Sequence, residues 1–388
     1  MDCIKNFDIH LEKDIYCSGE LINGTAIIEN GNDIKVTGII ILLRGKAHAE
    51  LKITKSGERR TLKDDHYILD EKILVWGKEY YDGSSTTSVL ASGLYKFPFV
   101  FQLPQCSLPC SLETKLGTIR YYIKVIVDTP FVCSPQAMKY FTIIGPIIDC
   151  MESKYLKPLV AQDRKTVCCC WCRRGVLALR FKLERTAYMC GENIRAQALI
   201  ENYQNSTVCI NMKLIQHVEY FIDRGAIGEN KSIDCTVFEY RSASVLPHSQ
   251  GKYDSALEQP LYIPTVPSTL VGVCRLIQIF YIYKVCLEDE KGNESLQMEF
   301  PLTIGTLPYN DVKSSRHFID YDYCSSHVEG GRYVSPEFRL GQVYDGRTLD
   351  EGNADDLILY RPVYSKIAYN HHSSSKFIDK NIAVNICN

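Results

Sequence analysis

One stretch of this chain occurs twice. Tyr16–Asn30, YCSGELINGTAIIEN, returns 172 positions later (188 − 16) as Tyr188–Asn202, YMCGENIRAQALIEN. Tyr, Gly, Glu, Ile, Ala, Ile, Glu and Asn coincide without a gap. In each copy a glycine, Gly19 or Gly191, sits in a turn ahead of side chains that alternate faces. Ile22, Ala26 and Ile28 oppose Asn23, Thr25 and Glu29; Ile194, Ala198 and Ile200 oppose Arg195, Gln197 and Glu201. A period of two describes a strand with one buried face. The pattern therefore predicts one β design used twice, with each copy forming the entrance to its own unit.

The segments around the repeat agree. Val36–Leu43 is a continuous apolar run, as in a strand covered on both sides, and Glu50–Asp65 is charged, as in a hairpin or loop. Tyr95–Leu103 contains Pro98, which restricts it to an edge or a bulge. Ile119, Tyr121, Ile123, Val125 and Val127 alternate, and so do Ile277, Ile279, Tyr281, Tyr283 and Val285. No segment of helical length has helical periodicity. The expected fold class is all-β: two tandem antiparallel β-sandwiches of immunoglobulin-like type with a C-terminal tail. The expected boundaries are 1–148 and 168–306 for the sandwiches, with an inter-domain connection over 149–167. Residues 307–388, rich in Ser, Asp, Tyr and Gly, are expected to form a largely flexible, tyrosine-rich tail.

A length of 388 residues exceeds what one core supports, so two domains and an extension fit. A net charge of −2 gives no general attraction to nucleic acid, and none is expected as a partner. Met1–Lys13 lacks an apolar segment of signal-peptide length, which predicts a cytoplasmic chain. Val271–Leu287 is interrupted by Arg275, Gln278 and Lys284, so a core strand is expected there, not a membrane span. In that compartment the 17 cysteines are expected as buried apolar residues and free thiols.

No G-x-S-x-G elbow, H-E-x-x-H pair or phosphate loop ending in G-K-[ST] occurs, so no catalytic residue, cofactor or metal ligand is assigned. His371 and His372 lie in the serine-rich tail, and His217 lies in a strand as a satisfied side chain. Cys168, Cys169, Cys170 and Cys172 form a cluster with two readings beyond incidental thiols. A metal or redox C-x-x-C lacks a partner pair at zinc-ribbon distance. S-acylation beside Arg164, Lys165, Arg173 and Arg174 would join lipid and charge in peripheral membrane association.

The motifs FPFVFQLP (97–104), IRYYIKVIVDTPF (119–131), CCCWCRRG (168–175) and PLTIGTLP (301–308), with the twin Y-x-x-G-E turns, resemble the α-arrestins, the arrestin domain-containing proteins. The resemblance runs from about residue 7 to 308. It implies a trafficking adaptor in the cytoplasm, recruited to the plasma membrane and endosomes. The sandwiches of such a protein bind the cytosolic parts of membrane receptors or transporters, and proline-tyrosine motifs in its tail recruit WW domains of HECT-type ubiquitin ligases.

A WW domain takes a polyproline II turn followed by a docked tyrosine. The nearest match is Pro362-Val363-Tyr364, with Arg361 standing where the family motif has its first proline. A rival reading uses Tyr360 with Val363 and Tyr364 with Ile367. Each pair is a tyrosine with an apolar residue three positions on, the form that clathrin adaptors accept as an added strand. Some relatives bind thioredoxin through a disulfide, but Ser244–Asp254, where that thiol is sought, has no cysteine. Two alternatives remain at this stage: a retromer-like coat subunit without a ligase, and a redox-responsive scaffold.

Overall fold

The computed structural model describes residues 4–55, 57–77, 87–130, 134–169, 172–223, 228–309, 318–324, 328–330 and 362–368, and among them every regular element is a strand. The first sandwich contains β1 (Ile4–Leu11), β2 (Ile15–Cys17), β3 (Leu21–Asn30), β4 (Ile34–Val36), β5 (Gly38–Lys55), β6 (Glu58–Gly77), β7 (Ser88–Leu90), β8 (Gly93–Gln102), β9 (Leu112–Glu113), β10 (Gly117–Asp128) and β11 (Gln136–Ile144). The second contains β12 (Leu159–Cys169), β13 (Cys172–Leu183), β14 (Ala187–Tyr188), β15 (Ala196–Asn202), β16 (Val208–Ile222), β17 (Glu229–Arg241), β18 (Ser249–Asp254), β19 (Ile277–Asp289) and β20 (Glu294–Ile304). Two strands follow in the tail, β21 (Phe318–Tyr323) and β22 (Val363–Ala368).

The repeat in sequence is a repeat in topology. The larger sheets run β2-β11-β10-β5-β6 and β14-β20-β19-β16-β17, and β9 adds to β10 in the first. In both, the short strand at the repeated turn pairs in parallel with the last strand of its sandwich, β2 with β11 and β14 with β20. The smaller sheets are β1-β3-β8 and β12-β13-β15-β18. Pro98 lies on β8, an edge strand, as its missing N–H requires. Glu50–Asp65 belongs to the β5–β6 hairpin.

The alternation in β10 and β19 reads out directly as burial. Ile119, Tyr121, Ile123, Val125 and Val127 are inaccessible, and their counterparts from Ile277 to Val285 are no more than 1% exposed. Burying such side chains contributes roughly 1.5–3 kcal/mol each before chain entropy is counted. The expected core strand within Val271–Leu287 is β19. No helix of the described residues is long and apolar enough to cross a membrane.

Two expectations change. The connection was placed at 149–167, yet Leu159–Cys169 is β12, paired along its length with β13. Leu159 and Ala161 pack on the core, while the charged run from Asp163 to Lys165 hides the alternation beyond them. In the tail, the described segments 318–324, 328–330 and 362–368 are not a flexible extension. β21 and β22 pair with each other over six registered positions, and buried Cys324, Val328, Tyr364 and Ile367 pack at the junction of the two sandwiches. Their short apolar contributions are too sparse to give a period.

Candidate functional site at the domain junction

The junction begins with direct contacts between sandwiches. The Tyr220 hydroxyl lies 2.8 Å from Thr114 Oγ1, and Arg275 pairs with buried Asp64 at 3.3 Å. The Ile148 N–H donates to Thr306 Oγ1 (2.9 Å), and the Thr306 hydroxyl donates to the Pro146 carbonyl (3.1 Å).

The second repeated turn forms one wall. Gly191 has φ +84°, and the Met189 N–H donates to Glu192 Oε2 at 2.7 Å, closing the turn. Glu192 also takes Arg185 Nη2 at 2.9 Å, both side chains being nearly buried. Arg185 lies between two rings, 3.9 Å over Tyr188 and 4.5 Å over Tyr309. The turn's outer edge then accepts the tail: the Ile367 N–H donates to the Cys190 carbonyl at 2.8 Å, beside a parallel bridge between Cys190 and Lys366. A Cβ on Gly191 would stand 2.6 Å from the Ile367 carbonyl oxygen. Glycine at this position is what lets the strand approach.

The tail closes over both sandwiches. Gln216 Nε2 donates to the Glu329 carbonyl (3.1 Å), and Glu329 Oε2 lies 3.0 Å from the Tyr220 hydroxyl. Burial foremost, then the charge of Glu329, raises the Tyr220 pKa. Gly330 is seated against Leu112 of the first sandwich and Pro267 of the second. Tyr321 is pushed up to about 12 by burial foremost, with the Cys17 thiol and the Glu20 carboxylate of the first repeated turn beside it. Lys366 pairs with Asp322 across the two tail strands.

The sequence-predicted residues now have places. Pro362, Tyr364 and Ile367 are buried, and Val363 is half-buried. Tyr364, 3% exposed, lies on the floor made by Cys110, Gly145, Cys190, Val266, Ser268 and Thr306, while Ile367, 5% exposed, meets the turn at Cys190 and Gly191 through its backbone. Tyr360, Cys170, His371 and His372 lie outside the described residues. The backbones of Cys168, Cys169 and Cys172 belong to the β12–β13 hairpin, with Cys169 opposite Cys172. Cys110, Cys150 and Cys190 are buried at the junction, and burial pushes each thiol up to about 12. Thiols so held form little thiolate near neutrality and are weak nucleophiles, which counts against a redox scaffold built on them.

Sequence reasoning missed a groove of about 700 Å³ on the outer face of the second large sheet. Phe280, Ile282, Pro301 and Thr303 form its floor, Ile147, Ile148 and Tyr155 one wall, and Val271 and Val273 the other. The signal was in the outward positions of β19, where Phe280 and Ile282 replace the Tyr122 and Lys124 of β10. Beside it, His217 pairs with Asp234 and its ring lies 4.4 Å from that of Phe280, a satisfied strand histidine. Cys286, Glu288 and Glu294 converge nearby, but Lys213, Lys284 and Arg241 neutralise that cluster as an ion-pair network. Hydrogen bonds from Asn211 to Glu239 and from Lys284 to Glu294 are the main causes that hold those two carboxyls below their usual range.

Two such sandwiches, joined through a short connection with the same strand order in each large sheet, are the arrestin architecture. Residues 5–149 match the family described as Arrestin (or S-antigen), N-terminal domain, and residues 173–309 match Arrestin (or S-antigen), C-terminal domain; the chain belongs to the arrestin family and is an adaptor-like protein of that kind. It is similar to arrestin domain-containing protein 4 of Mus musculus, 26% identical over 77% of this chain and 70% of the relative. Arrestin domain-containing protein 17 of Caenorhabditis elegans is 25% identical over 76% of this chain and 68% of the relative. The thioredoxin-interacting protein of Mus musculus is 22% identical over 78% and 74%.

Proposed function

We propose that this chain is a cytoplasmic trafficking adaptor that binds cytosolic parts of membrane receptors or transporters and links them to HECT-type ubiquitin ligases for endocytosis and sorting. The observation that carries the cargo half is the groove over Phe280 and Ile282, an open apolar channel on a rigid sheet, of the kind that takes an extended or helical segment. The ligase half rests on Pro362 and Tyr364. Peripheral contact with an anionic membrane is supported by exposed Arg164, Arg180, Lys182 and Lys252, which share the outer face of β12, β13, β15 and β18. S-acylation at the neighbouring cysteine cluster would add the second signal that stable anchoring needs. Recruitment to the plasma membrane and endosomes follows from these contacts.

Capture by immobilised WW domains tests the ligase half: wild type should be retained more than Tyr364→Ala or Pro362→Ala, and equal retention refutes it. For the cargo half, Ile282→Lys should abolish capture of receptor tails that wild type retains. The burial of Pro362 and Tyr364 favours a second reading, a coat subunit that needs no ligase. Under that reading cargo ubiquitination in cells is unchanged by Pro362→Ala.

A further inference from the structure

The outer face of the second large sheet is open along the groove, and the residues around it specify an occupant. Its walls carry exposed apolar side chains, Ile147 at 50% on one side and Val271 at 53% on the other, and the connection continues the patch with Met151 and Leu156. Apolar groups gathered in one channel mark a binding surface, where single exposed ones do not. The charge beside them is acidic. Glu299 lines the groove and accepts from Gln297 Nε2 at 2.7 Å, while Lys284, opposite it in the ladder, is held by Glu294 at 2.8 Å. On the β16 side Glu219 and Asp234 flank His217, whose ring lies against Phe280. Two basic groups near the walls are already engaged: Lys154 with Glu152 at 2.7 Å, and Arg275, beyond Val273, with Asp64.

The backbone decides what form the occupant takes. β14 pairs with β20 at Thr303 and Ile304, and among the described residues no other strand pairs with that edge of β20. The Thr303 N–H points to this edge, donating to the Thr186 carbonyl at 2.7 Å, and the preceding position of the same orientation is Pro301, which has no N–H. An extended segment laid along β20 would therefore meet a broken ladder beside the groove floor. A helix satisfies its own backbone and needs only side chains that fill the channel. We infer that the groove takes a short amphipathic helix, apolar on the face that meets Phe280 and Ile282, and carrying lysine or arginine where it passes Glu299. Cytosolic segments beside membrane spans are enriched in those two cations, so the helix is one from the cytosolic part of a membrane protein, close to its span. This inference rests on the adaptor reading for its cargo, and it narrows that cargo to one conformation and one charge.

A labelled peptide with leucine at i, i+3, i+4 and i+7 and lysine between them is titrated against the full-length chain and followed by fluorescence anisotropy. Two further peptides replace every lysine by glutamate, or place a proline at the centre of the leucine stripe. Wild type should bind the lysine peptide about tenfold or more tightly than either. Ile282→Lys, on the groove floor, should lose binding, and Glu299→Lys, at an exposed position, should erase the preference for lysine over glutamate. Equal binding of the lysine and glutamate peptides overturns the charge assignment, and equal binding of the proline peptide overturns the helix. No binding of the lysine peptide, or binding that neither substitution alters, overturns the site. Capture of receptor tails reads the adaptor function separately: if Ile282→Lys loses the peptide but still captures the tails, the groove stands as a helix site and the cargo reading falls.

Discussion

The two copies of the repeated turn share a design and differ in their surroundings. Tyr16 and Tyr188 are both buried, both hydroxyls accept a backbone N–H at 3.2 Å, and both glycines have φ above +80°. In each copy the glutamate after the glycine caps the turn, Glu20 on the Cys17 N–H and Glu192 on the Met189 N–H. Outside that frame they part. Glu20 pairs with Lys13 on a surface about one-third exposed, whereas Glu192 and Arg185 are paired below 10% exposure. A Cβ on Gly19 would meet only Gln105 at 3.6 Å, while one on Gly191 would strike the tail strand. One local code thus builds a turn with the tail's Tyr321 side chain near it in the first sandwich and a backbone docking edge for the tail in the second.

The largest expected difference lies in the carboxylates. Glu192→Gln leaves Arg185 charged and nearly buried, which costs about 3–5 kcal/mol, whereas Glu20→Gln costs about 0–1 kcal/mol. Urea unfolding of the two variants measures the gap, and equal losses would mean that the burial of the second pair has no energetic consequence.

Next come the glycines. Gly19→Ala meets only the strain of positive φ, about 1–2 kcal/mol. Gly191→Ala adds a collision with the Ile367 carbonyl and should also accelerate hydrogen exchange in 363–368. Unchanged exchange there would separate the turn from the tail.

The tyrosines should show what the repeat holds in common. Burial raises Tyr16 and Tyr188 alike to about 12, against an unfolded value near 10. The folded state keeps both protons longer, so the stability they contribute is whole below pH ~10 and is lost as pH rises towards 12. Tyr16→Phe and Tyr188→Phe should each flatten that loss by a similar amount in alkaline melting curves. A flattening by only one of them breaks the equivalence.

The smallest effect is chemical. Half-buried Cys17, raised to about 11, should alkylate slowly at pH 8; buried Cys190, raised to about 12, should stay unmodified while the tail strand is in place. Mass spectrometry after iodoacetamide treatment reads both sites.

Much of the fold was legible because alternation has a local cause. In β10 and β19 every second residue is apolar and faces the core, so the strands and their buried faces could be read without neighbours. β12 was misassigned to the connection because only Leu159 and Ala161 carry its apolar face before charged residues begin. Pro362 and Tyr364 were found as a linear motif, but their burial was not, since it depends on segments of both sandwiches that lie far from them in the chain. The groove over Phe280 and Ile282 was missed because apolar residues on an outward face look the same in sequence as core residues.

The amino-acid sequence alone determined two β-sandwiches, their entrance turns and the strands that fill their cores, because backbone periodicity and glycine's access to positive φ act within a few residues. Only the tertiary structure decided that the second turn is an edge for another strand and that the tail's tyrosine lies inside the junction. Those outcomes are set by which surfaces meet when the two units pack, and a floor gathered from both sandwiches exists only after they do.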